Sequence, residues 1–258
     1  MLLAFDVGNT TIAIGLFRGR KLVKSWKIKT DSDKTSDEYG AILLNLMQVA
    51  GLQAGKVSDA IISSVVPPLT PIIEEICRVY FGTAAIVVGP GLKTGMPILY
   101  ENPLEVGADR IAAAIAAFEK YGGPAIVVDF GTATTFDAVS AKGEYLGGAI
   151  APGIQIAAEA LYLKTARLPR IEIRKPKRAI GRTTVSSMQS GLYFGYIGLV
   201  TNTIEEIHKE LGKAARVVAT GGFGSQVAAE LAAIEAYEPD LVLEGLRIIH
   251  ERSRAARA

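Results

Sequence analysis

Residues 2–11, LLAFDVGNTT, and residues 125–134, AIVVDFGTAT, are two renderings of one pattern. Each is an apolar run of strand length that ends in Asp-x-Gly-x-x-Thr. Asp6, Gly8 and Thr11 correspond to Asp129, Gly131 and Thr134 at a constant offset of 123 residues. A second apolar run, a polar turn and a third run follow each motif. In the first copy these are Ile12–Phe17, Arg18–Arg20 and Lys21–Ile28. In the second they are Phe136–Val139, Ser140–Gly143 and Glu144–Ile150. Each copy reads as a three-stranded meander whose first turn carries Asp and Gly.

Working outward, Thr35-Ser36-Asp37-Glu38 has the form of a capping box, and the apolar spacing of Tyr39–Val49 predicts a helix behind it. Residues 59–66 and 84–89 read as buried strands flanking a helix around Pro71–Tyr80. Asp109–Tyr121 is alanine-rich and helical. In the second half, Ile154–Leu163 and Val185–Leu211 read as helices and Arg216–Thr220 as a strand. A Gly-Gly-Phe-Gly turn then leads into an expected helix over Ser225–Ala233. Two copies of βββαβα predict a duplicated α/β architecture with a cleft between halves, divided here as residues 1–106 and 107–258.

The chain has 258 residues, which at about 150 per domain suits one large domain or two intimate ones. With 28 basic and 26 acidic residues the net charge is +2, too small to argue for nucleic-acid binding. One cysteine, Cys77, rules out an internal disulfide, and two histidines, His208 and His250, make a Cys/His zinc site a poor reading. No apolar run approaches the ~20 residues of a membrane span. The N-terminus meets Asp6 after a short apolar run without a basic stretch, unlike a signal peptide. The expectation is a cytoplasmic protein with no membrane and no nucleic-acid partner.

Two Asp-x-Gly turns suit polyphosphate chemistry. Glycine lets backbone N–H groups approach a phosphate, and Asn9, Thr10, Thr11, Thr132 and Thr134 add small polar groups. The aspartates themselves would repel phosphate, by near 3 kcal/mol per pair of unit charges at about 6 Å and an effective dielectric of ~20. A cation between them resolves the conflict, most naturally Mg²⁺ held through waters. Asp6 and Asp129 could alternatively serve only as turn formers; the matched pair favours the ligand reading.

Gly107-Ala108-Asp109-Arg110 opens the alanine-rich helix. Arg110 could grip a carboxylate or phosphate, and Asp109 could take a proton from an attacking hydroxyl or simply cap the helix. Thr220-Gly221-Gly222 could admit a nucleotide base or ribose, or be plain turn punctuation. Gly147–Gly153 is a glycine-rich strand-to-helix junction, read equally as a ligand approach or a Pro-started helix. Lys164–Arg182 carries eight basic residues against one acid, Glu172, and lacks interleaved aromatics, so a solvated loop is favoured over a nucleic-acid surface. His208 and His250 lie in charge-rich helical contexts and are expected at the surface; Cys77 is expected to pack in the core. There is no P-loop and no Rossmann fingerprint.

Asp6-Val7-Gly8-Asn9-Thr10, the GADR box at 107–110, Asp129-Phe130-Gly131-Thr132-Ala133-Thr134 and Gly147–Gly153 stand in the order and spacing of the type III pantothenate kinases, which this chain resembles from residue 2 to about 245. Gly181-Arg182-Thr183-Thr184 and Ser186–Gly191 resemble that family's substrate segment. Single motifs are shared with the wider actin, sugar kinase and Hsp70 superfamily. The resemblance implies duplicated actin-like (ribonuclease H-like) halves, a homodimer, and ATP-dependent phosphorylation of pantothenate to 4'-phosphopantothenate on the way to coenzyme A. It implies that Asp6, Val7, Gly8, Asn9, Thr10, Thr11, Ile12 and Ala13 bind ATP and that Thr132 contacts the nucleotide. Asp109 is the implied general base; Tyr100, Gly107, Ala108, Asp109, Arg110 and Thr184 are the implied pantothenate contacts. Asp129 is the implied ligand of a monovalent cation, K⁺ or NH₄⁺, required beside Mg²⁺. Two rival readings share the turns: a kinase of the same superfamily acting on another hydroxyl compound, and a non-catalytic ATP-binding regulator. The substrate boxes argue against the first, and intact Asp6, Asp109 and Asp129 against the second.

Overall fold

A computed structural model describes residues 1–211 and 215–256. They form two compact units, one of residues 1–120 with the chain from Asp240 on, the other Tyr121–Pro239. In the first unit, β1 (Leu2–Val7), β2 (Thr11–Arg18) and β3 (Lys21–Lys29) make the expected antiparallel meander. There follow α1 (Ser36–Val49), β4 (Asp59–Ser64), α2 (Thr70–Phe81), β5 (Ala85–Val87) and α3 (Ala108–Tyr121). The sheet order is β3-β2-β1-β4-β5, with β4 parallel to β1 and β5 parallel to β4. Parallel neighbours need a crossover, which α1 and α2 supply.

The predicted capping box is present. Thr35 Oγ1 accepts from the Glu38 amide at 3.2 Å, and the Glu38 carboxylate accepts from the Thr35 amide at 2.8 Å. Alternation then sorts the strands: Leu3, Phe5, Val7 and Ile62 pack in one core with Leu43, Met47 and Ile76 of α1 and α2. Cys77 belongs to that core, and burial pushes its thiol up to about 12, so it packs and does not react.

The second unit repeats the plan. β6 (Ala125–Phe130), β7 (Ala133–Val139) and β8 (Tyr145–Pro152) form the meander, followed by α4 (Ile154–Lys164), α5 (Thr184–Leu211), β9 (Arg216–Thr220), α6 (Gly224–Val227) and β10 (Ala236–Tyr237). The order β10-β9-β6-β7-β8 reproduces the first sheet position for position. Two details depart from the sequence reading. The expected helix over 225–233 is a single turn, α6, then a 3₁₀ turn at Ala228–Glu230, because Leu231 extends the chain and sinks into the core. Pro152 ends β8 and does not start a helix; Gly153 holds the N-cap position of α4.

The last element, α7 (Leu241–Ala255), is the helix expected around His250, but it is no surface helix: it returns to the first unit and packs there. The sequence division at 106/107 groups α3 with the second half; the structure groups both α3 and α7 with the first. α7 packs on β1, β2 and β4, on the face that carries Ala4, Gly15 and Ile61. Gly15 leaves room there for Leu243, and Gly245 leaves room for the Ala112 carbonyl of α3, which a methyl group would overlap. His250, expected at the surface, is 6% exposed, with Nε2 3.4 Å from Asp59 Oδ1. Burial outweighs that carboxylate and lowers the imidazole pKa, so the ring is neutral at pH 7.

Two outcomes follow from α7. Gly245→Ala forces the α3 and α7 backbones apart and should destabilise the protein by about 2–3 kcal/mol, read as a melting temperature roughly 4–12 °C lower. Because the native pKa of His250 lies below the ordinary 6.5, the unfolded chain binds its proton more tightly. Stability is therefore full above 6.5 and declines as pH falls toward the native pKa. Urea midpoints should drop between neutral and mildly acidic buffer, and less in His250→Asn.

Candidate active site

The turn that carries Asp6 leaves the carboxyl end of β1 under tight control. The Gly8 amide donates to Thr11 O at 3.1 Å, Thr30 Oγ1 donates to Gly8 O at 2.6 Å, and the Thr30 amide donates to Thr10 O at 3.0 Å. From the other side the Val65 amide donates to Val7 O at 3.0 Å. Asn9, Thr10 and Thr11 are exposed and Asp6, Gly8 and Ala13 half-buried, whereas Val7 and Ile12 are fully buried in the core. The last two can offer a ligand only backbone groups. Asp6 pairs in register with Ser63 of β4, whose Oγ is buried without a hydrogen-bond partner among the described residues.

A cavity of about 750 Å³ adjoins the same strand end, walled by Ser64–Val65, residues 88–98, residues 103–108 and Ile111. Gly107 and Ala108 thus lie on its wall, and Tyr100, Asp109 and Arg110 are half-buried beside those segments. The Gly107 carbonyl accepts from the Ile111 amide at 3.1 Å, so Gly107 holds the N-cap position of α3. Asp109 sits inside the helix, its Oδ1 accepting from the Arg110 amide at 2.8 Å. The carboxylate thus satisfies a free first-turn amide from inside the helix, so the capping alternative stands beside the base reading. A methyl on Gly107 would overlap Asp109 Oδ1, so glycine is what lets the carboxylate fold back over the cavity wall. The wall segment 88–98 was not singled out from sequence, although its Gly-Pro density was a loop signal; Gly91 and Gly95 take φ of +89° and +80°.

In the second unit the turn after β6 is built round Asp129, which is half-buried. The Phe223 amide donates to Phe130 O at 3.2 Å and the Gly153 amide to Thr132 O at 3.2 Å. Gly221, at φ +91°, is seated so close that a methyl would overlap Asp129 Oδ1. One on Gly153 would overlap the Thr132 carbonyl. The Thr220-Gly221-Gly222 turn is thus a seat for the Asp129 carboxylate, whatever else it admits. Thr132 is exposed, and so is Thr184, the first residue of α5. Thr183 fixes Thr184: its Oγ1 accepts from the Ser186 amide at 3.2 Å, and the Ser186 hydroxyl accepts from the Thr183 amide at 3.0 Å.

The basic stretch before α5 is irregular and largely exposed. Lys175 pairs with Glu230 at 2.5 Å, Arg174 with Glu172 at 2.5 Å, and Arg170 lies over the Tyr162 ring. His208 is half-buried, its Nε2 donating to Ala215 O at 3.0 Å.

Among the described residues no cluster of three or more His, Cys, Asp or Glu side chains could hold a metal. Mg²⁺ does not need one, since it binds through one or two carboxylates together with substrate phosphates and waters. Asp6, with the orphaned Ser63 hydroxyl beside it, fits that pattern. Asp129 stands in a turn whose Gly131 and Thr132 carbonyls converge on Gly153. Carboxylate and backbone carbonyl oxygens on one turn are the donor types that suit a monovalent cation.

Duplicated sheets of order 3-2-1-4-5, each with an Asp-Gly turn after its first strand, define the actin-like fold of sugar kinases and related ATPases. Solved structures agree in fold. The activator of the 2-hydroxyisocaproyl-CoA dehydratase from Clostridium difficile, with bound ADPNP, aligns over 99% of this chain and 96% of its own, with a TM-score of 0.55 and 14% identity. The inorganic polyphosphate/ATP-glucomannokinase from Arthrobacter sp. strain KM aligns over 99% and 98%, with a TM-score of 0.50 and 13% identity. The sequence profile of type III pantothenate kinases matches residues 2–206. A type III pantothenate kinase of Geobacter sulfurreducens is 54% identical over 254 residues, 98% of this chain and all of that protein. The chain belongs to the type III pantothenate kinase family.

Proposed function

We propose the following division of labour for the ATP-dependent phosphorylation of pantothenate, the reaction of this family. The Asp6 turn, through Ala13, binds ATP phosphates with backbone N–H groups and the small polar side chains of Asn9, Thr10 and Thr11. Thr132 contacts the nucleotide. Pantothenate enters the cavity at Gly107–Ala108, with Tyr100 and Thr184 as further contacts and Arg110 anchoring its carboxylate. Asp109 faces the primary hydroxyl and accepts its proton as the oxygen bonds to the γ-phosphorus and ADP leaves; with a loose transition state that proton moves late. Asp6 would hold Mg²⁺, which when bound neutralises phosphate charge. Asp129 would hold K⁺ or NH₄⁺, which supplies a fixed positive charge in the second unit.

The observation that carries this reading lies within one unit. Register pairing of Val7 with Ser64 puts the phosphate turn and the cavity wall at the same carboxyl edge of one sheet, where open α/β sheets bind ligands. A donor turn and an acceptor cavity at one strand edge, with a carboxylate at the head of the adjoining helix, suit in-line phosphoryl transfer.

The same reading makes the enzyme a cytoplasmic homodimer. Support for the dimer is the apolar surface of α4 and α5, where Tyr162, Leu163, Val185 and Phe194 are exposed. No helix among the described residues is long and apolar enough to cross a membrane.

An ADP-release assay with pantothenate against a panel of small alcohols and sugars, with and without K⁺, tests the reading. Turnover with pantothenate alone, stimulated by K⁺, is expected; turnover only with another hydroxyl compound overturns it. Asp109→Asn should lower turnover by about 10²–10⁴ while ATP affinity is kept. Unchanged turnover would remove Asp109 as the base.

A further inference from the structure

We propose that Arg252, near the end of α7, is a positioning residue that holds the acceptor cavity's wall in register with the Asp109 helix. The inference rests on the reading that this cavity receives pantothenate. One guanidinium reaches two elements: Nη1 donates to the Thr94 carbonyl at 3.1 Å and Nη2 to Glu119 Oε2 at 3.0 Å. Thr94 belongs to the cavity wall and is 9% exposed; Glu119 lies on α3, the helix that begins at Gly107–Asp109. Between them, Gly95 lies directly against the cation, where a methyl would stand 3.0 Å from both Cδ and Nη1. The left-handed φ of +80° at Gly95 turns the chain so that the carbonyl before it meets the guanidinium.

Few hydrogen bonds other than this one reach the wall, although Thr94 and Met96 are buried. Val88 is tied to β4 by its amide, donating to Ile62 O at 2.8 Å. From Gly89 to Met96, the other hydrogen bonds among the described residues are local: the Leu92 amide to Gly89 O at 3.1 Å and the Met96 amide to Thr94 Oγ1 at 3.4 Å. Among the described residues, Arg252 supplies the hydrogen bond that reaches Gly89–Met96 from outside. A segment without regular structure, glycine-rich and hydrogen-bonded from outside at one interior point, leans on that tether together with the burial of Thr94 and Met96. The planar fork of arginine suits the task, because it can meet a carbonyl and a carboxylate at once, which a lysine ammonium on the same stem cannot do with the same geometry.

The ion pair to Glu119 is partly exposed, with side-chain accessibilities of 33% and 56%, so it adds little to global stability. Loss of Arg252 should therefore loosen the wall without unfolding the chain. In Arg252→Ala, amide exchange over residues 89–96 should quicken while that of β1 and β4 is unchanged. The KM for pantothenate should rise by about tenfold or more, since small displacements of positioning groups are costly. The KM for ATP should stay within about twofold, because the phosphate turn keeps its own bonds. Added methylguanidinium should restore part of the lost kcat/KM, a rescue that a contact serving only stability would not show. Unchanged exchange at 89–96 overturns the proposal. So does an equal rise of both KM values, or a loss of turnover that merely follows a fall in melting temperature. Failure of the wild-type enzyme to use pantothenate would instead strike the functional reading, and the exchange experiment would still decide whether Arg252 holds the wall.

Discussion

The parallel pairing of β1 with β4 is the constraint on which the first unit's chemistry depends. It sets Asp6 beside Ser63 and Val7 beside Ser64, so the acidic turn and the cavity open at one strand edge. The register is enforced by alternation. Leu3, Phe5 and Val7 must face the core under α1 and α2, which sends Asp6 to the other face. A slip of one residue would drive the carboxylate into that core and bring Phe5 out of it, at the cost of burying a charge among hydrocarbon. The apolar residues of β1 therefore aim its acid.

The second unit solves the same problem with a different filling. Its sheet repeats the order of the first, and Asp129 occupies the position of Asp6 at the end of the central strand. Where the first unit encloses its turn with Thr30 and Val65, the second closes round Asp129 with bare backbone. Gly221 and Gly153 approach too closely for any side chain. That tightness accounts for the glycines at 153 and 221, within junctions where the sequence reading left ligand approach and simple turning undecided; Gly148 instead lies against the Phe136 carbonyl of the neighbouring strand.

How much was legible in the sequence follows from how local each signal is. The two meanders, the capping box at Thr35–Glu38 and the strand after α5 are written in runs of a few residues and could be read directly. The N-cap position of Gly107 and the contact of Asp109 with the Arg110 amide were legible only as a motif, because spacing alone does not say which residue's carbonyl opens the helix. The burial of α7 was not legible. Its apolar residues are interspersed with Arg247, Glu251, Arg252 and Arg254, so the segment reads as a charged surface. The groups that make those charges acceptable come from far up the chain: Asp59 is 195 residues from Arg254, and Thr94 is 158 from Arg252. His250 misled for the same reason, since its neighbours in sequence are polar and its neighbours in space are β4 and the core.

The return of α7 to the first unit also bears on how the chain is made. As the ribosome synthesises residues 1–120, the sheet face that carries Ala4, Gly15 and Ile61 emerges with no helix to cover it. That cover is translated only after the whole of residues 121–239. At ~5–20 residues per second, the nascent first unit keeps an apolar sheet uncovered for roughly 6–24 seconds. During that interval the emerging chain is a substrate for holdase chaperones, and a truncated product would be marked for proteolysis.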